Sequence, residues 1–436
     1  MRDLPGPGRL GPVLAHGLGQ AEGPLPLLLL AAAGAVVATA ALLGRRDARD
    51  PRGARAGALG AGALGAGARG AGARGASARP DRCVVLPAVV TTVADHPLTR
   101  LALRAAGVGL AALVLAVAAF GSVDGSRNIA PGLVLTGVWG GLVPASLLLG
   151  PVWRPVNPLR TLSAGLARLA ADRDETATRP LPDRLGWWPA AAGMLAFSWV
   201  ALVLPGRPVT LLVFLLLYGL AQLGAALVYG QAWFARGEAL EAYSTVLGSM
   251  APVTRDAAGR LALANPRTRL ADSRPAPGLL GVAAVVIGAN LFDAILESDA
   301  WHGLALGATQ EVVGTAVLAA CVLVTYAVAA AVVRRRGLVP ALLPAAAGWA
   351  AAHHLVPVLL EWRALLPALP PPPPLPVLAT ASFGLLLAGH VAAVVVGHDR
   401  AVAGYGPVAA PGAQLEFRAL LIVLLLAAVT LVFGRV

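Results

Sequence analysis

Seven histidines and 22 carboxylates carry most of the chemistry open to this 436-residue chain, and several share short apolar stretches. In "ANLFDAILESDAWHG" (289–303), Asn290, Asp293 and Glu297 are three and four residues apart, which puts them on one face of a helix. His302 follows, and Glu311 opens the next apolar run. His353 and His354 precede Glu361 in another, and His16 lies near the first residue of the sequence. Carboxylate and imidazole ligands suit a divalent metal such as zinc, and Asp293, His353 and His16 are the expected set. The same residue types suit acid/base catalysis, for which Asp293, His353 and His390 are the candidates.

Each candidate also has a structural role to set beside the chemical one. An Asp inside an apolar helix is costly and usually functional, but Asp293 could instead bond Asn290 or a neighbouring helix. One of His353 and His354 should face the bundle, as a ligand or as a neutral ring bonded to a carbonyl. Glu297 and Glu361 lie near helix ends where water is available, and His302 reads as a solvated loop residue.

A second stretch is "LAGHVAAVVVGHDRAV" (387–402). His390 lies inside the apolar run, as a proton relay, a ligand or a structural histidine. His398, Asp399 and Arg400 read as an interfacial helix end, with Asp399 pairing with Arg400 or opening a turn. In "GPVWRPVNPLRTL" (150–162), Pro151, Pro155 and Pro158 forbid a continuous helix. Trp153 suits a membrane interface, and Arg154 and Arg160 can meet lipid phosphates. Asn157 and Arg160 then belong to a rigid interfacial turn or to a substrate loop.

Some chemistries are absent. All 34 basic residues are arginine, which removes a phosphate loop of the Walker type and a Schiff-base lysine. There is no His-Glu-x-x-His and no Gly-x-Ser-x-Gly elbow. Cys83 and Cys321 are too distant in sequence to suggest a disulfide framework. The Ala, Gly, Pro and Arg bias suggests a GC-rich, bacterial genome.

The elements that must position these residues are membrane helices. The chain is 57% hydrophobic and 13% charged, with mean hydropathy +0.74. Its apolar runs are about 20 residues long, the length that crosses a hydrocarbon core. They predict an all-α polytopic bundle of about ten spans, near 25–44, 101–121, 131–150, 187–205, 208–230, 276–297, 306–333, 338–361, 376–396 and 418–434. Alternating the connections puts 28 of the 34 arginines on one side. The positive-inside rule makes that side cytoplasmic and places both termini outside. The net charge of +12 is thereby explained by topology and does not call for nucleic acid. The expected partners are the bilayer and a small-molecule substrate or solute.

Residues 1–44 read as an outer segment with a retained first span, because Arg45 and Arg46 follow the apolar run. Residues 45–100 form a Gly/Ala/Arg-rich linker that contains four pentapeptide repeats at 56–75. The remainder, 101–436, is the bundle, with cytoplasmic connections near 151–186 and 231–275. In 232–250, Trp233, Leu240, Tyr243, Leu247 and Met250 suggest a short amphipathic helix on the interface, or a packed connector.

Several stretches together resemble a family of actinobacterial multi-pass membrane proteins labelled fenitrothion hydrolase. They are "AHGLGQAEGPLPL" (15–27), "NIAPGLVLTGVWGGLVPASLLLGPVWRPVNPLRTL" (128–162), "RLGWWPAAAGMLAFSW" (184–199), "YGQAWFARGEALEAY" (229–243), "LFDAI" (291–295), "AAHH" (351–354) and "AGHVAAVVVGHDRA" (388–401). The resemblance covers nearly the whole chain outside 45–95. It implies hydrolysis of an organophosphate or other ester, often metal-assisted in such chemistry. Matching positions are His16, Asn157, Pro158, Asp293, His353, His390 and His398-Asp399-Arg400. Gly23, Leu159 and His354 depart from the pattern, which has an Asp, an aromatic and an aromatic there. Two functions follow: a membrane-embedded hydrolase with a metal or acid/base site in the outer half of the bundle, or a transporter for a proton, metal ion or small polar solute that uses intramembrane Asp and His.

Overall fold

The structure is a computed structural model and describes residues 25–48, 83–125, 127–169, 179–334 and 336–433. His16, Gly23 and the 56–75 repeat lie outside the described residues.

Every expected span is a helix. They are α1 (Leu25–Ala48), α2 (Pro97–Phe120), α3 (Ile129–Leu149), α5 (Trp188–Leu202), α6 (Pro208–Tyr229), α9 (Leu279–Leu296), α10 (Gln310–Val333), α11 (Val339–Leu365), α12 (Leu375–Ala413) and α13 (Leu415–Phe433). Shorter helices between them include α4 (Pro158–Leu169), α7 (Ala239–Gly248) and α8 (Pro266–Asp272). Among the described residues, eight helices are long and apolar enough to cross a bilayer, namely α1, α2, α3, α6, α9, α10, α11 and α12. The protein is a helical membrane bundle. At 15 residues, α5 is shorter, about 22 Å long.

Burial separates the centre from the rim. The apolar windows of α9 and α11 are 67% and 61% buried, whereas those of α1, α2 and α6 are 17% buried. The rim helices turn Leu30, Leu42, Leu217, Leu220 and Leu227 outward, as expected of surfaces that face lipid. The central helices approach one another through small residues. A Cβ on Gly348 of α11 would lie 2.7 Å from the Cα of Gly389 on α12, so only glycine permits that backbone contact. Gly288 of α9 meets Val322 of α10 in the same way, at 2.7 Å.

Contacts between connections agree with alternating helices. At one end, the turn at Gly125 rests on Gly206, and Arg207 pairs with Glu311. At the other end lie the arginine-rich connections. There β1 (Val84–Val85), β2 (Val253–Arg255) and β3 (Leu261–Leu263) form an antiparallel sheet in the order β1-β3-β2, with Val84 and Val253 both opposite Leu263. Arg255 bonds Asp95 at 2.9 Å, and Arg336 bonds Glu416 at 2.9 Å.

One open reading closes and two expectations change. Residues 232–250 take the second of their two readings, the packed connector. Trp233, Leu240, Tyr243 and Leu247 are buried, and so are Glu238, Glu241 and Ser244 on the faces between them. Helix α7 runs beside the last turns of α3, with Ser244 bonded to Ser146 at 2.8 Å and Gly248 against Gly150. Ten residues of helix therefore carry Glu238 about 15 Å inward of Gly150. Tyr243 there stacks on Trp139, midway along α3, at 5.2 Å. The 150–162 stretch also turns into the protein. Trp153 is buried, and Val156 packs against Gly107 of α2. Finally, the helix that begins at Leu375 does not end at 398–400. It runs to Ala413, with one break at Gly406 (φ 77°) before Pro407.

Candidate acid/base site

Asp293 lies one turn before the end of α9, and His353 lies at the middle of α11. The two helices pack together, and His353 Nε2 comes 3.1 Å from Asp293 Oδ2. The side chains are 26% and 18% exposed, so the pair is neither sealed nor free. His354 stands edge-on to His353, with ring centroids 4.9 Å apart. It turns toward α3, where a Cβ on Gly140 would come within 3.3 Å of it. Both histidines thus face the bundle, where the sequence predicted one.

The same face of α3 holds an unexpected element. Residues Gly132–Val138 form a π-helical turn. Its wider spacing stacks Gly132 and Gly137, five residues apart, against α11. The side chain they meet is Glu361, whose Oε1 would be 2.5 Å from a Cβ on Gly132. Glu361 is 7% exposed, more enclosed than its place near a helix end suggested. Glu297 sits at the end of α9, as expected, and His302 is exposed and bonded through Nδ1 to the Ser298 carbonyl at 2.9 Å.

His390 is fully buried on α12. Its Nδ1 bonds the Leu386 carbonyl at 2.8 Å, and its Nε2 has no partner among the described residues. From the Gly348–Gly389 contact, His353 is five residues along α11 in one direction, and His390 is one residue along α12 in the other. The two are therefore offset by about 9 Å along the bundle. The structure brings Asp293 and His353 together and leaves His390 apart.

His398, Asp399 and Arg400 form a clasp. Asp399 pairs with Arg267 of α8 at 2.5 Å, not with Arg400. Arg400 donates to the carbonyls of Leu270, Ala271 and Ser273, and so ties down the last turn of α8, and to Gly337. Cations favour a helix C-terminus for this reason. His398 Nδ1 lies 3.3 Å from Gln414 Nε2.

The sequence reading missed a second polar centre. Glu238 caps α7 and accepts five hydrogen bonds. One oxygen takes Trp153 Nε1, Asn157 Nδ2 and the Glu241 N–H; the other takes the Tyr218 hydroxyl and the Leu240 N–H. Glu241 binds Arg160 through two nitrogens, at 2.6 and 2.9 Å, and also accepts from Asn157. Asn157 caps α4 through the Leu159 and Arg160 N–H groups. The first turns of α4 and α7 thus meet around two buried carboxylates and one guanidinium. Asn157 and Arg160 therefore hold two inserted segments together, and Arg160 does not reach lipid. The available signal was "GEALE": an acid at the cap and another three residues on, as at a helix start.

A divalent metal such as zinc was one expectation for this site. Among the described residues, no three His, Cys, Asp or Glu side chains converge, and Asp293 and His353 alone are one ligand short of a catalytic zinc site. The described donors do not fit a metal by themselves, and His16 lies outside them. No protein-family model, curated protein or solved structure matches this chain.

Proposed function

We propose that the chain is a membrane-embedded hydrolase of esters, organophosphate triesters included, with His353 as general base and Asp293 as its orienting carboxylate. The 3.1 Å contact between His353 Nε2 and Asp293 Oδ2 carries the reading. With Nε2–H donating to the carboxylate, Nδ1 is left to take a proton from water, and the carboxylate stabilises the imidazolium that forms. Partial exposure of both side chains lets water approach. The resemblance to the fenitrothion hydrolase family supports the substrate class. We also propose that the arginine-rich end is cytoplasmic and that the site opens toward the outer face, with both termini outside.

The test is turnover of chromogenic phosphotriesters and carboxylic esters by protein purified into nanodiscs. Hydrolysis that falls in His353→Gln at equal folded fraction supports the reading. Absence of turnover across both ester classes removes it. A transporter of a proton or small polar solute is then favoured, because His390 keeps a buried, unpartnered Nε2 about 9 Å away along the bundle.

A further inference from the structure

Two ring nitrogens in the middle of the bundle are fully buried with no partner among the described residues. They are Nε1 of Trp349 on α11 and Nε2 of His390 on α12, and the residues are 1% and 0% exposed. Helices α11 and α12 run antiparallel, since Gly348 meets Gly389 and Ala341 meets Gly397. Trp349 and His390 each follow a glycine of the first contact, so each is turned about 100° from it. On antiparallel helices those two turns lead to the same side of the pair. Side chains lean toward the start of their own helix, which brings the indole and the imidazole to one level. The bond from His390 Nδ1 to the Leu386 carbonyl, one turn back, shows that lean directly. It also sets the tautomer: Nδ1 carries the hydrogen, and Nε2 is a bare acceptor. Trp349 Nε1–H is a donor only. An unsatisfied donor and an unsatisfied acceptor thus lie on one side of the crossing. Ala345, one turn before Trp349, and Ala393, one turn beyond His390, are buried on that side, and their methyl groups take up little of the space beside the rings.

We propose that one ordered water lies between the two rings, accepting from Trp349 Nε1–H and donating to His390 Nε2. Buried polar atoms that lack a protein partner are where internal water binds, and a donor–acceptor pair suits a molecule that does both. A cation is repelled by the indole N–H, and an anion finds a donor on one side only; a water hydroxyl matches both. His353 is one turn, about 6 Å, beyond Trp349 on the same face of α11. The water is therefore the next polar position from the Asp293–His353 pair toward the arginine-rich end, and Trp349 is the residue that positions it. The proposal does not depend on ester hydrolysis.

The test uses the full chain in nanodiscs, hydrated with ordinary water or with water labelled with oxygen-18. The infrared difference between wild type and His390→Leu should contain an O–H stretching band that shifts with the label, and the variant should have lost it. Ultraviolet resonance Raman reads the indole N–H in the same two proteins: one tryptophan should be hydrogen-bonded in wild type and free in His390→Leu. Should His390→Leu fail to fold, Trp349→Phe takes its place in the infrared comparison and should also lose the band. Two results would overturn the proposal. One is no label-sensitive band with a Trp349 indole that is free in wild type, which means a dry site. The other is a bonded indole with no label-sensitive band, which means that the rings bond each other or another molecule.

Discussion

Replacing Arg160 with methionine tests how the two inserted segments are held. Glu241 is completely buried, and Arg160 is the cation that pairs with it. At 2.6 Å and an effective dielectric of about 20, the Arg160–Glu241 attraction is about 6 kcal/mol. Part of this is offset by the desolvation that the guanidinium no longer suffers. The net destabilisation should be about 3–5 kcal/mol, the range for breaking a buried pair from one side. The double change Arg160→Met with Glu241→Met removes both charges and should recover most of that loss. The coupling between the sites should be at least about 2 kcal/mol. Equilibrium unfolding in mixed micelles measures all four corners of the cycle. A single variant that costs less than about 1 kcal/mol, or a double variant that costs the sum of the singles, would refute the argument.

Asp399→Asn should cost less than about 1 kcal/mol, because the Arg267 pair is part-exposed, and should leave turnover intact. Arg400→Gln should instead speed hydrogen exchange across Pro266–Ser273, since it releases three carbonyls at the end of α8. His390→Leu should remain folded, because the Leu386 carbonyl loses only an extra partner and an unpartnered Nε2 is removed. Unfolding of that variant would show that the ring holds a contact not accounted for.

The spans were legible because each is an apolar run long enough to cross a bilayer, a property independent of partners. Asp293 and His353 were legible as costly groups at similar depth on two helices. Their contact depended on how α9 and α11 rotate, which periodicity leaves open. Glu361 is more enclosed than its position near a helix end suggested. The π-helical turn that brings Gly132 and Gly137 against it breaks the 3.6-residue spacing on which such readings rest. Residues 232–250 were open between surface and interior for a related reason. Glu238 and Glu241 look like a solvated face until Asn157 and Arg160, some 80 residues earlier in the chain, are seen to satisfy them. Asp399 likewise found Arg267, 132 residues away, where the sequence pointed to its neighbour.

The most direct test of the Asp293–His353 pair is the ester-hydrolysis rate of Asp293→Asn, compared with wild type at equal folded fraction. Asparagine keeps the size of the side chain but neither orients the ring in the same way nor stabilises an imidazolium. A fall of about a hundredfold or more in kcat, with KM little changed, is the predicted result. Wild-type kcat in the folded variant would contradict the account.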